Sequence, residues 1–332
     1  MRFDGLIGNA ELKEQLSSLA VSGRMPHALL IEGPTGSGRR TLAGLLAKAA
    51  VCRHSDAAAR PCGICPDCIK AAAGTHPDIT YYGGSDRARS FSIDTVRTLR
   101  EEGYRLPNEA ACRVFVLQNA HALSLEGQNA LLRIIEEPPK HLRFILTCRS
   151  RFELLETIRS RTFALTLRGV SEEEALPWLR ENFPKQSDDD LRTVTRLYGG
   201  CLGVIREALS EDDWKNSLTL APAIAEAILA PTESTLLAKC NELPQRDSVL
   251  IQGVLRELRL LFRDAISAKC GRSERLSPSP ETAEKLAKAM TAGQLVQLLD
   301  TIAVLEKMQV RNINHALFIT ELCAKLRAAV GR

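Results

Sequence analysis

The chain has 332 residues, enough for two or three ordinary domains whose cores need no disulfides. Hydrophobic residues make up 45% and charged residues 25%, so disorder is not the default, and no run of about 18 apolar residues marks a membrane span. Lys plus Arg at 44 against Asp plus Glu at 40 leaves a net charge of +4, which permits nucleic-acid contact without demanding it, and 5% aromatics argue against single-strand binding by stacking.

The opening stretch MRFDGLIGNAELKEQL has no continuous apolar core, so no secretory signal is expected. With ten cysteines besides, this points to a reducing, cytoplasmic setting. Leu12, Leu16 and Leu19 share one face of a first helix. His27–Glu32 is a short apolar run ending in a glycine-rich turn. Arg113–Leu117, Arg143–Cys148 and Phe163–Leu167 are further strand candidates. Between them Ile93, Val96 and Leu99 line a helix behind the cap candidate Ser92. Strands alternating with helices predict an α/β core over 1–167, a parallel sheet covered by helices on both faces.

After Leu167 the strand signals stop. Ser171 and Glu174 form a capping box, Gly199-Gly200 ends a second helix, and a third covers roughly Leu202 to Leu209, a small helical unit over 168–210. Residues 211–332 read as helical from about Asp213 onward. A long helix carries Val249, Leu250, Val254, Leu258, Leu261 and Phe262 on one wide stripe. Ser273–Pro280 is a turn or linker, and two helices are expected after it, the last from Asn314 to Val330.

Gly33-Pro34-Thr35-Gly36-Ser37-Gly38-Arg39-Arg40-Thr41 follows a strand and opens a helix, the setting of a phosphate-binding loop. Glycines let backbone N–H groups approach phosphate, and the helix N-terminus favours anions. A working loop places lysine and then a hydroxyl residue after its last glycine, one for the phosphates and one for magnesium. Here Gly33, Gly36 and Gly38 keep the frame, but Arg39 replaces the lysine and Arg40 the hydroxyl residue. A planar fork substitutes poorly for a compact ammonium, and Arg40 offers magnesium no oxygen. The second half of such a site, after Val114–Leu117, calls for carboxylates, and the chain has Gln118-Asn119-Ala120-His121. Hydrolysis of ATP at this site is therefore not expected. Retained binding of ATP with magnesium stays open.

Cys52, Cys62, Cys65 and Cys68 make a C-x9-C-x2-C-x2-C pattern with Pro61, Gly63 and Pro66 supplying turn chemistry. Four thiolates can close a tetrahedral zinc site with no open position, which would be structural. The alternatives are four buried thiols, or a redox pair at Cys62/Cys65 or Cys65/Cys68. His54 reads as a solvated loop residue and His76 as part of a turn before Pro77.

These pieces resemble clamp-loader subunits of the AAA+ class, in particular the delta-prime type found with bacterial DNA polymerase III. Phe3-Asp4-Gly5-Leu6-Ile7-Gly8 is similar to the family's opening box, and His27-Ala28-Leu29-Leu30 precedes the loop as it does there. The cysteine insertion follows the loop's helix, with Gly74-Thr75-His76-Pro77-Asp78 behind it. Gln128-Asn129-Ala130-Leu131-Leu132-Arg133-Ile134-Ile135-Glu136-Glu137-Pro138-Pro139 is similar to the family's most specific stretch, and Asn312-Ile313-Asn314 is similar to its C-terminal region.

The resemblance implies an AAA+ core with a zinc module at 52–68, a helical lid at 168–210 and a helical collar at 211–332. It implies a ring of five with gamma/tau motor subunits and a delta subunit, reaching sliding clamp and primed DNA through that complex, with no membrane. Motor subunits keep the groups missing here, so the expectation is the non-catalytic, delta-prime kind. Ser160-Arg161 falls where the family carries an arginine finger that enters the neighbour's ATP site, with Thr162 in place of the family's cysteine. The bland alternative is one more solvated arginine beside Arg149, Arg151 and Arg159. Cys148 takes the place of the family's phosphate-sensing polar residue, with Thr147 beside it, and Arg206 is expected to be a surface or interface residue. Two other readings remain: a diverged, ATP-hydrolysing motor subunit, and a zinc-stabilised DNA-binding protein with a vestigial nucleotide fold.

Overall fold

The computed structural model describes residues 1–83, 93–211, 214–245, 248–272, 275–309 and 314–331. Ser92, Asp213, Ser273, Asn312 and Ile313, singled out above, lie outside them. The chain divides into two compact units, Met1–Glu174 with Cys201–Gly203, and Ala175–Gly200 with Val204–Arg332.

Among the described residues the first unit is built on five strands, β1 (Ala28–Glu32), β2 (Ile79–Tyr82), β3 (Arg113–Leu117), β4 (Leu142–Cys148) and β5 (Phe163–Thr166). They lie in the order β2-β3-β4-β1-β5, every neighbouring pair parallel, with Leu30 opposite Leu146 and Ala164 and Phe115 opposite Phe144. The α/β core expected from the alternation of elements is thus present. Side chains alternate across the sheet with period two. Leu30, Phe115, Leu117, Phe144 and Leu146 pack on one face with helices α4 (Ile93–Gly103) and α5 (Leu125–Glu136), through Val96, Leu99, Leu131 and Ile134. Leu29, Ile31, Val114, Val116 and Ile145 pack on the other with α1 (Ala10–Val21) and α2 (Arg39–Val51), through Leu16, Leu42 and Leu46. Edge-to-face rings Tyr82–Phe115 and Phe115–Phe144, 5.4 and 5.9 Å between centroids, bind β2, β3 and β4 together on the α4/α5 face.

Strand β2 is the element the sequence reading lacks. Ile79–Tyr82 is an edge strand with no fully buried residue, so it has neither a long apolar run nor clean alternation. The remaining helices of this unit are short: α3 (Pro66–Ala72) and α6 (Glu156–Arg159).

The capping box opens α7 (Glu172–Asn182) as expected: Ser171 N donates to Glu174 Oε2 at 3.0 Å and Glu174 N to Ser171 Oγ at 3.2 Å. Next come α8 (Asp188–Leu197), closed by left-handed Gly199 and Gly200, and α9 (Leu202–Glu211). The second unit continues with α10 (Trp214–Ala227), α11 (Glu233–Cys240) and the long α12 (Ser248–Lys269), whose predicted apolar stripe is buried. The linker before Pro280 is tied down by two buried carboxylates of α12. Asp264 Oδ2 accepts from Leu276 N and Ser277 N, both at 2.8 Å, and Ser277 Oγ donates to Glu257 at 2.5 Å. Among the described residues three helices follow rather than two: α13 (Pro280–Ala289), α14 (Ala292–Gln309) and α15 (His315–Ala329). The break falls at Thr291, where Thr291 Oγ1 accepts from Gln294 N at 3.2 Å and Thr291 N donates to Gln294 Oε1 at 2.9 Å, a capping box legible in the sequence. No helix among the described residues is long and apolar enough to cross a membrane.

Three elements meet at the carboxyl end of the sheet through Glu32. Its carboxylate accepts from Arg151 N (2.8 Å), Arg151 Nε (2.9 Å) and Thr166 Oγ1 (2.8 Å), and also pairs with Arg151 Nη2. The Arg151 hydrogen bond, set against some desolvation, lowers its pKa from 4.5 to about 2. A depressed carboxylate pKa contributes stability that is fully present above the ordinary value and is lost as pH falls toward the folded one. Glu32→Gln is therefore expected to lose about 1–3 kcal/mol near neutral pH, and its deficit against wild type should shrink steadily below about pH 4.5. Thermal unfolding of both proteins between about pH 7 and 3.5 measures this; a deficit independent of pH would contradict it.

Candidate functional site

The predicted phosphate loop lies between β1 and α2, at the carboxyl end of the sheet, where open α/β folds place their ligands. Gly36 and Gly38 have φ of 80° and 96°, and Gly38 caps α2 from the left-handed region. A Cβ on Gly33 would stand 2.7 Å from Leu167 O and from Ser37 Oγ. The loop's backbone frame is thus intact. Its side chains do something else. Arg39 is 5% exposed, and Arg40 and Thr41 face solvent. Gly203, at the start of α9 and part of the same unit, donates its N–H to Gly36 O at 2.9 Å, and a Cβ there would meet Gly36 Cα at 2.8 Å.

At the end of β3, Gln118 N pairs with Tyr82 O at 2.8 Å. Asn119 is buried in a left-handed conformation, and its N–H donates to Thr147 Oγ1 at 3.0 Å. Cys148, at the predicted sensing position, is fully buried. Burial and the charge of Glu32 push its thiol up to about 12, and Arg39 acts the other way. The structure therefore brings Arg39, Asn119, Thr147 and Cys148 to one sheet edge. The residues there do not fit a magnesium–nucleotide complex: Arg40 stands at the position where a hydroxyl is needed, amides stand where carboxylates are needed, and Glu32 is held by Arg151.

The four cysteines converge. Their sulfurs all lie within 4.8 Å of one another, with Cys62 to Cys68 at 3.9 Å and Cys65 to Cys52 at 4.0 Å. A tetrahedron of metal–sulfur bonds of about 2.3 Å has edges of about 3.8 Å, so the donor set fits a metal ion held by four thiolates. Backbone N–H groups of Cys62, Cys65 and Cys68 each point at a neighbouring sulfur at 3.4 Å. His54 stays outside: its Nδ1 accepts from Asp56 N at 3.2 Å. His76 is more than a turn residue. It is buried with fully buried Asp67, its Nε2 3.4 Å from Asp67 Oδ1, while its Nδ1 accepts from Asp78 N at 3.0 Å. Arg53, next to Cys52, pairs with the same Asp67, next to Cys68. A charged residue beside each of two ligands was the sequence signal for this network.

Arg161 lies at the surface just beyond α6. Its Nη1 donates to Thr157 O at 3.1 Å and to Ser160 Oγ at 3.2 Å, and its Nη2 pairs with Glu136 Oε1 at 2.8 Å. The neighbouring arginines are engaged differently: Arg149 with Glu153 at 3.1 Å, Arg151 with Glu32, and Arg159 over the Phe152 ring at 5.2 Å. Gln128, in the stretch predicted to be specific, is buried on α5; its Nε2 donates to Leu123 O at 3.2 Å and its Oε1 accepts from Leu155 N at 2.9 Å. Asn129, Arg133 and Arg206 are exposed. Glu32, Gln128, Glu136 and Gly203 carry roles that the sequence reading did not assign, because each depends on a partner distant in the chain.

Comparison with known proteins agrees with this picture. The family described as "DNA polymerase III, delta subunit" matches residues 8–171. The chain is 29% identical over 318 residues to DNA polymerase III subunit delta' of Escherichia coli K12, covering 94% of this chain and 92% of that one. It is 36% identical over 160 residues to DNA polymerase III subunit gamma/tau of Mycobacterium tuberculosis H37Rv, covering 48% of this chain and 27% of that one, and so spans about a quarter of that relative's length. Subunit tau of Bacillus subtilis 168 is 23% identical over 328 residues, 91% of this chain and 57% of that one. Since the delta-subunit family matches the α/β core and a delta' relative aligns almost end to end, the chain belongs to the clamp-loader family of DNA polymerase III.

Proposed function

We propose that this chain is the delta-prime-type, non-hydrolysing subunit of the clamp loader. In this reading it sits in a ring of five with gamma/tau motor subunits and a delta subunit, in the cytoplasm, and helps the ring place a sliding clamp on primed DNA at the expense of ATP hydrolysed by the motors. One observation carries the reading: a phosphate loop with its frame intact has lost the chemistry of both halves, at Arg39 and Arg40 and at Gln118 and Asn119. Residues 168–210 act as the lid and 211–332 as the collar that joins the ring.

What such a chain gives to its neighbour is Arg161. A guanidinium brought in trans to a transferring phosphoryl group neutralises the charge that develops there. Arg161 is 39% exposed, and Ser160 supports it through its Oγ. The test is clamp- and primed-DNA-stimulated ATPase of the reconstituted loader, with wild-type chain or Arg161→Ala, at equal assembly. The site served by Arg161 should lose about 10³-fold in rate, and loader turnover should fall with it. Unchanged turnover in an assembled ring would overturn the finger. ATPase activity of the isolated chain would overturn the non-hydrolysing reading.

We assign zinc to the four-cysteine module, bound by Cys52, Cys62, Cys65 and Cys68 as a closed structural site. The ion would cross-link the end of α2 to the start of α3, and Asp67, Arg53 and His76 would hold the module against the strand that follows. Metal analysis of the full chain should find one zinc, and Cys65→Ser should lose it with a clear fall in Tm. A metal-free chain whose Tm is insensitive to a chelator would contradict the assignment.

A further inference from the structure

Helix α6 has four residues, too few to hold a helical conformation alone. It is fastened to α5 at both ends. Before it, Leu155 N donates to Gln128 Oε1 at 2.9 Å; within it, Ile158 is fully buried; after it, Arg161 Nη2 meets Glu136 Oε1 at 2.8 Å. Glu136 is the last residue of α5, and its carboxylate is 41% exposed. Two acceptors, Thr157 O and Ser160 Oγ, take Nη1, while Nε–H has no protein acceptor among the described residues. The guanidinium is therefore held from three sides and still has a donor free for a further anion.

We infer that Glu136 is the positioning residue of Arg161: it fixes the guanidinium in the pose in which it meets the neighbouring subunit's phosphate. This rests on the reading of Arg161 as a finger given above. An unrestrained arginine samples many rotamers, and part of that freedom is lost whenever the side chain is ordered. A carboxylate that orders it beforehand removes that loss from the step in which phosphate charge develops. Glu136 touches no substrate; it acts through Arg161 alone. Its surroundings also separate it from a general structural role, because it is half-exposed at a helix end and Ile158, not Glu136, fills the space under α6.

The experiment uses the assembled loader and reads kcat and the KM for ATP separately. Glu136→Ala should lower kcat by about two- to fivefold, the scale of one exposed ion pair, with KM for ATP, assembly and the Tm of the chain unchanged. Glu136→Gln keeps an acceptor of the same length and should recover part of that loss. Glu136→Ala placed on Arg161→Ala should add nothing, because the group it positions is gone. If Arg161→Ala lowers turnover but Glu136→Ala leaves it unchanged or raises it, this inference is overturned and the finger stands. Should Arg161→Ala itself have no effect, the finger reading fails, and this inference with it.

Discussion

The parallel sheet is buried on both faces, and most of the first unit's chemistry follows from that constraint. Alternate residues of β1, β3 and β4 are spent on the two helical layers, so little of their length is free for function. What remains free is the carboxyl edge, where each strand releases a loop. The phosphate loop, Asn119, Thr147 with Cys148, and the Glu32–Arg151–Thr166 cluster all lie there. Glu32 shows how far the edge has been given over to structure. It stands directly before the loop, between β4 and β5, and its carboxylate ties the segment after β4 to β5.

The four-cysteine module obeys a different constraint. It is a loop insertion between α2 and β2 without a hydrophobic core of its own; the cluster there consists of the cysteines themselves. A small module without a core needs a cross-link, and four converging cysteines are placed so that a metal ion held by them would supply one. The surrounding charges extend the link inward. Asp67 joins Arg53 to His76, His76 accepts from Asp78 N, and the Asp78 carboxylate accepts from Asn108 N at 2.6 Å, Glu109 N at 2.8 Å and Ala110 N at 2.9 Å. The chain before β2 and the chain before β3 are thereby fixed on the same carboxylate. Backbone donors depress the Asp78 pKa against the burial that would raise it. Edge strand β2, which has little apolar burial, is held in place by polar contacts at its start and by the Tyr82–Phe115 ring pair at its end.

Much of the fold was legible because its signals are local. Four of the five strands are short apolar runs, and the capping box at Ser171 and the glycine pair at 199–200 mark helix ends within a few residues. The cysteine cluster was legible from spacing alone. Strand β2 was not, since a half-buried edge strand has no periodicity to show. The break at Thr291 was legible in principle, as threonine three residues before glutamine, but the strong apolar pattern on either side conceals it. The long-range roles were not legible at all. Glu32 meets Arg151 119 positions away, and Gln128 meets Leu155 27 positions away. Glu136 stands out as part of a motif, yet nothing in the motif says that its carboxylate meets Arg161.

The phosphate loop shows how folding alone can hold a glycine frame in place, whatever the side chains around it do. Gly33 tolerates no Cβ because Leu167 O and Ser37 Oγ are already 2.7 Å from where it would stand, and this holds whether or not a nucleotide is ever present. Gly36 and Gly38 occupy left-handed conformations that a side chain resists, and these turn the chain from β1 into α2. Folding alone therefore preserves the glycines. The lysine and hydroxyl positions have no such anchor: Arg40 is solvent-exposed, and Arg39 is accommodated by burial in the fold. The Gly203 N–H bonded to Gly36 O ties the loop to the start of α9 as well as to β1 and α2. Its glycines report the geometry of a strand–turn–helix junction, whereas the side chains that bear on nucleotide chemistry stand at residues 39, 40, 118 and 119.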